Sequence, residues 1–153
     1  MTFTQLMLRV GELAEIIDEY VHAEGRKAHK HWPWMLPGET EPPPPPEAAE
    51  LEALLAPLSD DDLFKLCGVL LVGTRRAEPD DLQKLVRRAK EEFRNRDEAI
   101  FRLGHYEGIG SDFEDGIERM KQAGHDVDAL VTVPASVRAP LVAVHAVAAP
   151  WPA

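Results

Sequence analysis

Apolar positions near the start of the chain fall at Phe3, Leu6, Met7, Val10, Leu13, Ala14, Ile17, Tyr20 and Val21, the three- and four-residue steps of one helix face. They predict a helix over about Thr4–His22, able to run on toward Lys30, with Glu12, Glu15, Asp18 and Glu19 on much of its wet side. Gly25 weakens the continuation, and Trp32-Pro33-Trp34 ends it because a residue before proline avoids the helical region. Residues 1–31 therefore read as an N-terminal amphipathic helix. Residues 32–46 read as a proline-rich linker whose Pro42–Pro46 run forms a stiff polyproline II spacer.

Glu47–Leu55 combines good helix formers with Leu51, Leu54 and Leu55, and Pro57 stops it. Ser59-Asp60-Asp61-Asp62 reads as the next helix start, with Ser59 or Asp60 as the cap and the remaining acids favoured by the positive end of the helix dipole. Leu63–Val72 is apolar on nearly all sides, which places that helix at the centre of the core, and Gly73 ends it. Glu78-Pro79-Asp80-Asp81 opens a further helix with proline in its first turn. Leu82, Leu85, Val86, Ala89, Phe93, Ile100 and Leu103 keep helical spacing with one gap near Arg96. One long helix, or two nearly collinear ones, should thus span Asp80–Leu103 and close at Gly104 in a left-handed cap. Ser111 and Glu114 fit a capping box before a last helix over Asp112–Ala123, which Gly124 ends.

These elements make an all-α bundle of about five helices. The core domain is 47–126, the Asp80–Leu103 helix lies antiparallel to the central one, and the first helix returns across the linker to cover the same core. Beyond Asp126 the composition changes: residues 127–153 are rich in Ala, Val and Pro, with Asp128 and Arg138 as their charges. This apolar tail should be irregular or form short strands at Val131–Val133 and Leu141–Val147. Left free it would be an aggregation liability, so it is expected to pack on its own domain or on a second copy.

The formal charge of −10 argues against binding a nucleic-acid backbone, which needs clustered Lys and Arg. The charge is uneven, since no Lys or Arg stands between Lys30 and Lys65 while Glu39, Glu41, Glu47, Glu50, Glu52, Asp60, Asp61 and Asp62 accumulate there. The weakly polar run Ala139–Ala149 is too short to cross a membrane, and the N-terminal residues lack a secretory pattern, so a cytoplasmic protein is expected. Cys67 is the single cysteine and belongs to the apolar series Leu63, Leu66, Leu70, which predicts a buried thiol.

No phosphate-cradling glycine loop, nucleophile elbow or pair of zinc-type cysteine motifs is present. His22 and His29 are seven apart and could share a face, but Gly25 intervenes and no carboxylate stands at a ligand step. No catalytic, cofactor or metal residue is assigned. The stretch "FRNRDEAIFRLGHYEGIG", Phe93 to Gly110, reads as the corner between two packed helices rather than a substrate site. Within it Arg96 is suited to bind helix-end carbonyls or to pair with Glu114. Exposed polar groups near helix ends, namely Arg75, Arg76, Asn95 and Arg96, with the acids Glu50, Asp60, Asp61 and Asp62, are the candidate partner contacts.

Several short motifs occur in sequence: the acid-rich start Ser59–Asp62, the apolar helix ending at Gly73, then "PDDLQKLVRRA", "RNRDEAIFRLG" and "FEDGIERMKQAG". In that order they resemble the family of bacterial domains of unknown function catalogued as domain 3775, over residues 51–126. The chain departs from that pattern at Gly73-Thr74-Arg75-Arg76, where a Gly-Arg-Gly-Asp turn is usual. The resemblance implies a small helical domain and no activity. The expected role is a non-catalytic protein–protein interaction or dimerisation module, joined to a partner or a second copy through the tail or the first helix. The alternative is an acidic inhibitor, carried by a phage or mobile element, that imitates a nucleic-acid backbone in a basic groove. A carboxylate-dependent enzyme is the least favoured reading.

Overall fold

The computed structural model describes residues 1–31, 44–105 and 108–137, with only the backbone of residues 24–31. Its helices are α1 (Phe3–His31), α2 (Pro46–Leu55), α3 (Asp60–Gly73), α4 (Leu82–Phe93), α5 (Arg96–Leu103), α6 (Ile109–Gln122) and the single turn α7 (Val127–Leu130). The fold is all-α, and no strand occurs among the described residues.

α3 is the central helix, as its all-round apolarity requires: every residue from Leu63 to Gly73 except Lys65 is buried. Ser59 caps it by accepting the Asp62 N–H at 3.2 Å. α3 packs most extensively on α6 and α4, whereas α1 packs on α6 and α2. α6 consequently lies between α1 and α3, so the first helix reaches the core through α6 rather than by lying on the central helix. The contacts Gly68–Leu85 and Asp61–Lys90 run in opposite senses along α3 and α4, which makes that pair antiparallel, as expected.

The α3–α6 crossing depends on two glycines. A Cβ at Gly73 would stand 1.8 Å from the Asp112 carbonyl oxygen, and one at Gly116 would stand 2.2 Å from that of Val69. Only hydrogen fits where backbones meet so closely. Arg119 spans the same crossing, donating from Nη1 to the Val72 carbonyl at 2.6 Å.

Several boundaries differ from expectation, each for a local reason. α4 and α5 are not one helix: Arg94 has φ 66° and ψ −66°, and Asn95 N–H bonds the Phe93 carbonyl at 2.8 Å, a γ-turn that breaks the path. Asp81 rather than Pro79 opens α4, its carboxylate accepting the Gln83 and Lys84 N–H groups. Gly104 has φ −79°, so it is no left-handed cap; a Cβ there would press on Leu51 at 3.3 Å. α6 starts at Ile109, which is buried, so Ser111 lies inside the helix and does not cap it. The proline rod gives way to helix at Pro46, the first residue of α2. Residues 32–43 of the linker lie outside the described residues.

At the N-terminus, Thr2 and Gln5 form a reciprocal capping box, with Gln5 N–H to Thr2 Oγ1 at 3.1 Å and Thr2 N–H to Gln5 Oε1 at 2.9 Å. The next orphan donor of α1, Thr4 N–H, goes to Asp128 Oδ1 at 2.9 Å. Residues 127–137 of the tail therefore pack on their own chain, with Val127, Val131 and Val137 buried and Lys65 donating to the Leu130 carbonyl at 3.0 Å. Val127–Leu130 forms one helical turn, and Val131–Val133 is irregular rather than a strand. Leu141–Val147 lies outside the described residues.

Candidate functional site

Most of the polar residues singled out in the sequence serve the architecture. Arg96 Nη2 donates to the carbonyls of Leu55 at 3.0 Å and Ala56 at 2.8 Å, and Nη1 to that of Leu58 at 2.8 Å. One guanidinium thus serves carbonyls that the end of α2 leaves without helical donors. Asp60 completes this set with a carboxylate 3.0 Å from Nη1. Asn95 caps α5, its side-chain oxygen accepting Glu98 N–H at 2.9 Å.

The acids are also engaged. Asp61 pairs with Lys90 at 3.0 Å, Asp62 with Lys65 at 3.8 Å, and Glu50 with Arg9 at 2.7 Å. Arg76 pairs with Glu92 at 2.9 Å, and the same carboxylate lies near Arg102 at 3.5 Å and Arg88 at 3.7 Å. Arg75 alone of the eight candidates has a side chain without a hydrogen bond or ion pair among the described residues. It holds the left-handed position after α3, with φ 64°, while Arg76 N–H closes the turn onto the Leu71 carbonyl at 2.9 Å.

Two of the grooves on the described surface hold candidate residues. The first, about 520 Å³, runs from Arg75 and Arg76 along the exposed side of α4 past Lys84, Arg87 and Arg88. Glu78, Asp80, Asp81 and Glu91 line it too, so its cations are nearly matched by acids and it favours neither sign of charge.

The second groove, about 540 Å³, lies between α1, α2 and α5. Ala48 and Ile100 give it partly exposed apolar lining over the buried Ile17 and Leu51, and Phe101 stands on its wall with 63% of its surface exposed. Phe101 stacks on His105 with ring centroids 4.1 Å apart, and His105 Nδ1 lies 2.7 Å from the Phe101 carbonyl oxygen. Glu52 and Asp97 line the groove without an ion pair among the described residues. Arg96, which also reaches it, is committed to α2 and Asp60. Ile16 and Val21 of α1 are exposed apolar side chains outside the groove's lining.

Phe101 was missed in the sequence because its neighbours Ile100 and Leu103 satisfied the helical stripe. The signal was present: Ala99 and Leu103 define the buried side of α5, and position 101 falls well away from it.

Reactive chemistry is sparse among the described residues. Burial pushes the Cys67 thiol far above its ordinary range, which keeps it protonated and unreactive. No group of three or more His, Cys, Asp or Glu side chains among the described residues is arranged to hold a metal. His22 and His125 bond backbone carbonyls, those of Asp18 at 2.9 Å and Pro79 at 2.5 Å. The side chains of His29, His31 and His145 lie outside the described residues. No described helix is long and apolar enough to cross a membrane.

No family model, curated protein or solved structure matches the chain.

Proposed function

We propose that the protein is a non-catalytic interaction module and that its binding surface is the groove between α1, α2 and α5. The observation that carries this reading is Phe101, a large aromatic side chain left mostly in water on the wall of an apolar groove. Aromatic residues in such positions anchor interfaces because they bury much area for little lost conformational freedom. The buried thiol and the histidines bound to backbone carbonyls give an enzyme reading little support. On the motif resemblance, the setting we propose is the bacterial cytoplasm.

The acidic-inhibitor reading has less support than its charge suggests. Asp60, Asp61, Asp62 and Glu50 each face a cation of the same chain, so the free negative charge they offer a basic groove is small.

A photo-crosslinking amino acid placed at position 101 in cells tests the interaction reading, with the exposed Lys121 near the end of α6 as the control position. A discrete adduct at 101 and none at 121 is expected. No adduct at 101 overturns the reading.

A further inference from the structure

We infer that the partner presents a basic amphipathic helix to this groove, an inference that rests on the interaction reading above. Three properties of the groove select that occupant. Its walls are helices whose backbone groups are already hydrogen-bonded along their own axes, so it offers an incoming strand no edge to pair with. An occupant must satisfy its own backbone, which a helix does.

The lining then sets the face of that helix. Ala48 and Ile100, partly exposed over the buried Ile17 and Leu51, call for apolar side chains at three- and four-residue spacing, with Phe101 as the anchor they pack around. The rim sets the flanks. Glu52 and Asp97 are unpaired carboxylates among the described residues, and the guanidinium among the groove's described lining, that of Arg96, is held by carbonyls and Asp60. Lys or Arg beside the partner's apolar stripe would meet those carboxylates, and the chain's net charge of −10 would steer such a partner toward it.

The probe is a labelled peptide of Leu and Lys in amphipathic order, about 18 residues so that it can hold a helix, titrated by fluorescence anisotropy against the full chain. Saturable binding that weakens with added salt is expected, as is a loss of about tenfold or more in Phe101→Ser, since a central aromatic anchor carries much of an interface. Asp97→Lys should weaken the same peptide and strengthen one in which Glu replaces Lys; because Asp97 is exposed, this variant keeps the test valid should Phe101→Ser disturb folding.

Binding of the Lys peptide unchanged in both variants would reduce the attraction to bulk charge and overturn the inference. Equal binding of the Glu peptide to the parent chain would do so as well. Concentration-dependent self-association lost in Phe101→Ser would make a second copy the occupant. Peptide binding only after removal of residues 138–153 would make that segment the occupant. An adduct at position 101 without peptide binding would sink only the partner class, whereas absence of any adduct would sink the interface itself.

Discussion

Arg96 reaches back 41 residues to donate to the carbonyl of Leu55 at 3.0 Å, so the start of one helix closes the end of another. This contact ties α5 to α2 and fixes two sides of the groove that Phe101 overlooks. A residue picked out in the sequence as a partner contact thus positions the candidate surface without forming its apolar lining.

Arg96→Ala should cost about 2 kcal/mol, because it takes a donor from the Ala56 and Leu58 carbonyls at once and leaves that of Leu55 with the Leu58 N–H alone. Asp60→Asn should cost less than about 1 kcal/mol, since Asp60 is well exposed and water screens its pairing. Chemical denaturation of both variants checks the order. An equal loss in the two would mean the ion pair, not the carbonyl cluster, is the working contact.

Gly116→Ala should cost about 3 kcal/mol or more and blunt the cooperative transition, since its new methyl would meet the Val69 backbone. Gly110→Ala is the control: the atoms in its way belong to the flexible Glu15 carboxylate, which can swing aside. Thermal unfolding of the pair should separate them clearly. Similar melting of both would refute the close α3–α6 crossing.

Arg75→Gly should stabilise the chain by about 0.5–1 kcal/mol, the left-handed penalty of a side chain less the entropy glycine loses on folding. A destabilised variant by urea titration would count against the φ of 64° described for Arg75.

Asp128 links the tail to α1, and hydrogen bonds from the Thr4 side chain and backbone hold its carboxyl below the usual carboxylate range. A depressed folded pKa contributes stability that is complete above the unfolded value, about 3.9, and disappears as pH falls through the folded one. Asp128→Asn should therefore be less stable than the parent at neutral pH, and the gap should close in acid. A gap that does not change with pH would remove the linkage.

Much of the fold was legible because its signals are local and redundant. α1 and α3 announce themselves by apolar spacing, and Ser59 caps as its residue type suggests. The α4–α5 break was harder to read because Arg94 takes a positive φ that residue type does not advertise, although Asn95 followed by Glu98 was a readable cap. At α6 the Ser111–Glu114 pattern misled because Ile109 gains more from burial inside the helix than from waiting outside it. Thr2–Gln5, the same kind of motif, does cap α1. The candidate surface was least legible. Its lining comes from three helices far apart in the chain, and Phe101 becomes conspicuous only once its neighbours turn inward.

The measurement that bears most directly on the central claim is amide hydrogen exchange of the full chain with and without the Leu–Lys helix peptide. The account predicts slower exchange on binding in α5, α2 and the α1 segment around Ile17. Protection confined to the groove along Arg75–Glu91, or spread evenly over the acidic surface, would contradict it.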